Sequence, residues 1–202
     1  MHYATLTTFT ASFDCLPLFL HFYFMIMKKF FFGISILLAV SVPAFSQNQY
    51  EILPDKSGEK IFKGIISREI LENDSSIKWY AQNLKGYTPD ALALAGLRKY
   101  SDSIQLLVFM GTWCEDSHFI IPKFFTLLDA SGFPKDKVSL IGVDRSKKTL
   151  SHLTEALGII NVPTIIVMKN GKEVGRVVEY GKYGAFDKEL GEIINSIGAT
   201  SH

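Results

Sequence analysis

Cysteine is scarce in this chain, which has only Cys15 and Cys114 among 202 residues. An excess of one charge is also lacking, since 21 lysines and arginines stand against 20 aspartates and glutamates. A near-neutral chain gives no electrostatic reason to expect nucleic acid or an anionic membrane as a partner. Internal repeats and low-complexity segments are absent from the sequence as well, which excludes repeat architectures. The length then suits one domain with an elaboration, or two small domains.

Apolar residues are concentrated near the start of the chain. The segment that begins at Met27 has a short basic part, Lys28-Lys29, followed by an apolar stretch and small residues at Ala44 and Ser46. This order predicts a secretory signal peptide over residues 27–46, cleaved after Ser46. Residues 1–26 have no part in it, which predicts that the true start is Met27. The protein is therefore expected to be exported and periplasmic.

An uncleaved leader is the alternative, and it would anchor the protein to the inner membrane. The run from Phe30 to Val42 is shorter than the ~20 residues that a membrane span needs, which disfavours this alternative. A start at Met1 would favour it, because more apolar residues would then precede the run. Contact with a membrane is expected only in this case.

Removal of the leader changes what the cysteines can do. Without Lys28, Lys29 and Asp14, the charges become 19 basic and 19 acidic residues, and Cys15 is gone. Cys114 is then alone, so a disulfide within the mature chain is excluded. The remaining roles are a buried bystander, an intermolecular link that joins a homodimer, or a reactive thiol.

The pattern beyond the leader predicts an N-terminal extension, 47–101, and a second region, 102–202. In the extension, 47–60 is expected to be an extended lead-in, 61–66 a strand, and 67–71 and 77–84 short helices. A further helix is expected to begin at Thr88 as its N-cap, with Pro89 in its first turn. The predicted elements of the second region are strands at 105–110, 138–143, 164–168 and 173–180, and helices at 115–131, 150–157 and 185–197. This β-α-β-α-β-β-α order combines a parallel crossover with a terminal hairpin.

Cys114 lies where the buried strand 105–110 gives way to a helix. Backbone amides and the positive end of a helix favour the thiolate there, which makes such a cysteine reactive. Trp113 would shield one side of the sulfur. The alternative is that Cys114 is an unreactive, small apolar side chain that fills a turn.

Four motifs follow one another along the second region. They are Trp113-Cys114-Glu115-Asp116-Ser117 after an apolar strand, Pro122 in the following helix, Asn161-Val162-Pro163-Thr164, and the hairpin turn Lys169-Asn170-Gly171-Lys172. In this order and spacing they resemble the motifs of thioredoxins. The first two, together with Gly111-Thr112, also resemble a branch of exported thioredoxin-like proteins of Bacteroidetes-type bacteria, here with a single-cysteine CxxS site. The likeness covers about half of the chain.

The resemblance implies an α/β thioredoxin fold, with a central mixed sheet flanked by helices and the extension packed on it. It implies a cis peptide bond before Pro163, with this proline lying against Cys114. It also implies that the backbone of Val162 pairs with an extended substrate segment beside the sulfur. No bound cofactor is implied.

Three departures from the family pattern bear on chemistry. Ser117 stands where a dithiol enzyme has its second cysteine, and a hydroxyl does not release a mixed disulfide at neutral pH. It would either donate a hydrogen bond to the Cys114 thiolate or cap the first turn. Glu115 and Asp116 place negative charge beside the sulfur, which disfavours the thiolate, although both also suit a helix N-terminus. Val108 stands where thioredoxins bury an acid that assists proton transfer.

His118 lies one helical turn after Cys114. It either stabilises the thiolate as an imidazolium or faces solvent with no function. The pair is too small a ligand set for a metal site, so none is expected.

Two functions fit these residues. The first is monothiol thiol–disulfide exchange or isomerisation through a mixed disulfide on Cys114, with Ser117 beside it, acting on thiols and disulfides of proteins or peptides. The second is a catalytically idle thioredoxin-fold module that binds extended peptides beside Pro163.

Overall fold

The computed structural model describes residues 21–29, 49–55 and 58–198. Cys15, the apolar stretch of the predicted leader and its cleavage site at Ser46 lie outside the described residues. The chain divides into two compact units, Met1–Gln47 and Asn48–His202. In the first unit, residues 21–29 form a helix, α1. Within the described ranges, no helix is both long enough and apolar enough to span a membrane.

The second unit holds a six-stranded sheet and six further α-helices among its described residues. The strands are β1 (Tyr50–Pro54), β2 (Lys60–Ile66), β3 (Ile104–Met110), β4 (Val138–Gly142), β5 (Thr164–Lys169) and β6 (Lys172–Val178). The helices are α2 (Arg68–Asn73), α3 (Trp79–Gln82), α4 (Ala91–Tyr100), α5 (Glu115–Ser131), α6 (Leu153–Ala156) and α7 (Phe186–Ser196). Short 3-10 helices cover Lys135–Lys137 and Leu150–His152.

The strand order in the sheet is β1-β2-β4-β3-β5-β6. Only β3 and β4 run parallel, and the other neighbouring pairs are antiparallel. The predicted α/β class, with a central mixed sheet and flanking helices, is therefore confirmed. The extension adds its strands to this sheet, since β2 pairs with β4 and carries β1 on its outer side.

Alternation along β3 divides the apolar residues between the two faces of the sheet. Leu106, Val108 and Met110 belong to a large cluster, which also contains buried residues of α4, α5 and α7. Phe109 points to the other face and belongs to a smaller cluster. Its other buried members are Ile141, Val143, Ile159, Val162 and Ile166, with Trp113, Cys114, Leu153 and Leu157 packed against it. The cysteine therefore lies at the border of the smaller cluster.

Part of the predicted extended lead-in forms strand β1, which lies at the edge of the sheet. Two local predictions were wrong. The N-cap of α4 is Asp90 rather than Thr88, because the Asp90 carboxylate accepts hydrogen bonds from the amides of Leu92 and Ala93. The helix predicted over 150–157 is broken into a 3-10 turn and the short α6, with positive φ angles at Ser151 and His152.

Glycine allows β2 and β4 to approach closely. Gly64 of β2 is paired with Gly142 of β4, and Gly64 has a φ of 123°, which side chains rarely adopt. A β carbon on Gly142 would collide with the carbonyl oxygen of Phe62. The attachment of the extension to the sheet therefore depends on this glycine.

Candidate active site

Cys114 is the N-cap residue of α5, directly after the turn that follows β3. Its backbone is extended, with φ −100° and ψ 121°, and its amide donates a 3.0 Å hydrogen bond to the carbonyl of Gly111. The thiol is free and half-buried. The sulfur thus stands at the positive end of a 17-residue helix, where negative charge is favoured.

The loop that precedes β5 lies against this thiol. The Cys114 thiol donates a hydrogen bond to the carbonyl oxygen of Val162, with 3.3 Å between sulfur and oxygen. The Val162–Pro163 peptide bond is cis, and both residues are buried. The structure therefore brings together the cysteine and the loop that were predicted to share one site.

Three hydrogen bonds hold the loop in place. The Glu179 amide donates to the carbonyl of Pro163 at 2.7 Å. The Thr164 hydroxyl donates to the carbonyl of Asn161 at 2.7 Å, and the Lys147 ammonium donates to the Asn161 side-chain oxygen at 2.9 Å. The acceptor beside the sulfur is fixed by these contacts before any substrate arrives.

Ser117 is fully buried in the first turn of α5. Its hydroxyl oxygen accepts a 3.2 Å hydrogen bond from the Gly111 amide. Across the ranges that the structure describes, the hydrogen bonds include none between Ser117 and Cys114. Ser117 therefore ties the start of the helix to the end of β3.

Trp113 packs against the smaller apolar cluster beside Cys114. Its indole N–H donates to the carbonyl of Val143 at 3.0 Å. The guanidinium of Arg145 lies 5.4 Å from the centre of an indole ring, and both of its hydrogen bonds go to the Asp55 carboxylate. A β carbon on Gly111 would lie only 2.7 Å from the indole, so this turn needs glycine.

His118 faces the extension. Its Nε2 lies 2.7 Å from the carbonyl oxygen of Thr112, and because a carbonyl only accepts, Nε2 carries a hydrogen. Its ring is stacked on Trp79, with centroids 4.2 Å apart and planes 11° from parallel. Of the two alternatives for His118, the solvent-facing one is wrong, since the side chain is half-buried. The partners of its ring include the Thr112 carbonyl and Trp79.

The acidic side of the site contains a residue that the sequence did not single out. Glu115 is exposed, Asp116 is half-buried, and Tyr180 lies near both. Burial raises the pKa of the Tyr180 phenol, and the negative charge of Asp116 and a hydrogen bond to its carboxylate raise it further. The Tyr180 ring also packs 5.7 Å from that of Phe119, which is exposed. An aromatic and acidic rim therefore borders the sulfur on this side.

Val108 is completely buried in β3, so the position predicted to lack an acid is part of the apolar core. The side chain at position 108 therefore neither gives a proton to Cys114 nor takes one from it. Within the described residues, no group of three or more His, Cys, Asp or Glu side chains is arranged to hold a metal ion.

The residues that reasoning from the sequence missed are Trp79, Thr112, Arg145 and Tyr180. Thr112 lies inside the quoted motif, so its place beside the site was visible although its role was not. Tyr180 follows the returning strand of the predicted hairpin, which was a usable signal. Trp79 and Arg145 reach the site only through the tertiary fold.

Comparisons with known proteins show what this chain is similar to. A family model described as Thioredoxin matches residues 95–192. A thioredoxin from Echinococcus granulosus is 30% identical over 95 residues, which are 47% of this chain and 78% of that protein. A thioredoxin from Malassezia sympodialis is 31% identical over 77 residues, which are 38% and 70% of the two chains. Among solved structures, oxidised thioredoxin O2 from Arabidopsis thaliana is 23% identical, with a TM-score of 0.34, over 52% of this chain and 83% of that one.

Proposed function

We propose, from the premise that this chain belongs to the thioredoxin family, that it performs monothiol thiol–disulfide exchange through Cys114. Its substrates are disulfides of proteins or peptides. The observation that carries the proposal is the thiol at the start of α5, held beside the carbonyl of Val162 and the cis peptide of Pro163. That arrangement combines a place that favours the thiolate with a backbone acceptor next to it.

The exchange begins when the thiol loses its proton to solvent. The Cys114 thiolate attacks one sulfur of the substrate disulfide, a new sulfur–sulfur bond forms, and the other substrate sulfur leaves as a thiolate. The mixed disulfide is released when that thiolate, or another on the substrate, attacks the substrate sulfur bonded to Cys114. The substrate disulfide is re-formed or moved, so no net electrons are transferred and the reaction is an isomerisation.

Ser117 explains why resolution comes from outside the protein. Its hydroxyl is engaged with the Gly111 amide, and an alcohol oxygen is hardly ionised at neutral pH. An external thiol, such as glutathione, would also release Cys114 as a thiolate by attacking the substrate sulfur bonded to it. One substrate sulfur then becomes a mixed disulfide with glutathione, and the other stays a thiol. This is the chemistry expected of a CxxS site.

The Val162 carbonyl supports a role in holding the substrate. In the free protein it accepts the thiol hydrogen. The sulfur has no hydrogen once it is a thiolate or part of a mixed disulfide, so the carbonyl then becomes free to accept a backbone N–H of an extended substrate. Loss of the thiol proton therefore produces the Cys114 thiolate and frees the Val162 carbonyl for the substrate in one step.

The rate of Cys114 alkylation tests this proposal. In the full chain carrying Cys15→Ser, Cys114 is the sole thiol. Its reaction with iodoacetamide at pH 7 is expected to be faster than that of the same thiol in the urea-unfolded chain. Helix-end stabilisation is the reason, opposed in part by the nearby carboxylates of Glu115 and Asp116.

Addition of Cys114→Ser provides the blank for this measurement. Alkylation no faster than in the unfolded chain would contradict exchange chemistry and would support the idle peptide-binding module instead. A non-reducing gel of the same sample separates a third case. A dimer band that Cys114→Ser removes would show that the cysteine links two copies.

We also propose that the protein is an exported one, of the Bacteroidetes-type branch, with a periplasmic site of action. The support is the basic, apolar and small-residue order from Met27 to Ser46. Mass spectrometry of the protein recovered from the periplasm is expected to find Gln47 as the first residue. Recovery in the membrane fraction with residues before Gln47 retained would favour the anchored form.

A further inference from the structure

The extension contacts the cysteine-bearing turn through an aromatic stack. Trp79 of α3 is buried, and its indole lies against the ring of His118 in the first turn of α5. Near-parallel rings at 4.2 Å leave the imidazole little freedom to rotate. Trp79 therefore sets the direction in which the His118 ring points.

The direction of the His118 ring fixes the orientation of the Thr112–Trp113 peptide bond in the turn before Cys114. The His118 Nε2–H donates to the carbonyl of Thr112 at 2.7 Å, so the Thr112–Trp113 peptide plane is held by the ring. This peptide lies directly before Trp113 and Cys114. A flip of the plane would turn the Trp113 amide around and disturb the indole, which covers Gly111 and donates to Val143.

The extension also holds Thr112 through its side-chain hydroxyl. The Thr112 hydroxyl donates to the carbonyl of Lys60 at 2.9 Å and accepts from the amide of Phe62 at 3.3 Å. Both groups belong to the backbone of β2. Thr112 is buried between these contacts, with 2% of its surface exposed. The turn is thus held at the Thr112 carbonyl by His118, whose ring stacks on Trp79 of α3. At the Thr112 hydroxyl it is held by the backbone of β2.

We propose that Trp79 is a positioning residue for Cys114, which acts through His118 and the Thr112–Trp113 peptide. The inference rests on the proposed exchange function and assigns a task to the extension. Trp79 keeps the turn in the one conformation that places the sulfur at the end of α5, beside the Val162 carbonyl. Reactivity of the thiol then depends on a side chain that does not contact it.

The test compares variants of the full chain in the Cys15→Ser background. Trp79→Leu is expected to slow alkylation of Cys114 by iodoacetamide below pH 8 by about fivefold, since part of the helix-end stabilisation is lost. Reaction with glutathione disulfide is expected to slow in proportion. Trp79→Phe keeps an aromatic face for the imidazole and is expected to restore most of both rates.

Epistasis separates this role from a general loss of stability. His118→Leu is expected to slow alkylation as Trp79→Leu does, and the double variant to slow it no further. Ile77→Ala provides the matched control, because Ile77 is buried in the same part of the extension and does not stack on His118. It is expected to lower the melting temperature while leaving the alkylation profile unchanged.

A spectroscopic signal reports the contact itself. The Nε2 proton of His118 is expected to be visible by NMR, because it is hydrogen-bonded and half-buried, and to be lost in Trp79→Leu. If that signal is lost while the alkylation profile stays that of the Cys15→Ser parent, the positioning role is wrong. If Ile77→Ala slows alkylation equally, it is also wrong. A parent protein that does not react with glutathione disulfide would instead contradict the proposed function.

Discussion

A Ser117→Cys variant is expected to form an internal disulfide with Cys114 and to catalyse net disulfide reduction. The new thiol lies one helical turn from Cys114, at the start of the same helix, so it attacks the mixed disulfide from within the protein. Substrate is then released as a dithiol, and the variant is left with the 114–117 disulfide. Two electrons pass to the substrate, and dithiothreitol restores the variant.

The reduction of insulin by dithiothreitol measures this gain. Intramolecular attack is far more effective than attack by a dilute external thiol, so turnover is expected to rise by about a hundredfold or more over the parent protein. Mass spectrometry of the variant without reductant is expected to show the loss of two hydrogens.

Ser117→Ala is the control, because it adds no thiol and only removes the hydroxyl that accepts from the Gly111 amide. It is expected to cost about 1 kcal/mol of unfolding free energy through the unpaired amide and to leave reduction at the parent level. If Ser117→Cys forms no internal disulfide, the side chains at 114 and 117 do not come within bonding reach of each other, and no gain in reduction follows.

Gly142→Ala is expected to destabilise the protein severely. The added methyl group collides with the backbone carbonyl of Phe62, which does not move away without separation of β2 from β4. Overpacking against side chains costs about 1–3 kcal/mol, and a clash with backbone in a paired sheet is expected to exceed that range. Urea unfolding followed by circular dichroism measures the loss.

Ser139→Ala, in the same strand but exposed, is expected to change the unfolding free energy by less than about 0.5 kcal/mol. A near-neutral Gly142→Ala would show that β2 is not held as closely to β4 as the structure has it. Because Phe62 also donates to Thr112, the Gly142 variant is further expected to slow Cys114 alkylation.

The parts of the fold that the sequence predicted are those with one dominant physical signal. The apolar run of β3 marks a strand buried on both faces, and α5 begins at the residue that the turn before it indicated. Strand β1 was missed because its residues are mostly exposed and it gains its structure from pairing with β2. The segment after β4 was misjudged because two positive φ angles interrupt a helical pattern.

The contacts of the candidate site also fall into those that the sequence could predict and those that it could not. Cys114, Val162 and Pro163 belong to motifs with fixed spacing, so their meeting could be predicted. The partners of His118 could not, since Trp79 lies far upstream and no motif links it to the site. A helical wheel places His118 one turn from the sulfur, whereas its ring stacks on Trp79 and donates to the carbonyl of Thr112.

The pairing of β2 with β4 has a consequence for the order of folding. The thioredoxin-like part of the chain contains the strand, turn and helix around Cys114. The hydrogen bonds to the Thr112 hydroxyl come from β2, however, and β2 pairs with residues far away in sequence, as Gly64 does with Gly142. Contacts between distant segments close late, because the intervening chain loses entropy first. The contacts of Thr112 with the Lys60 carbonyl and the Phe62 amide are therefore complete only when β2 has joined the sheet.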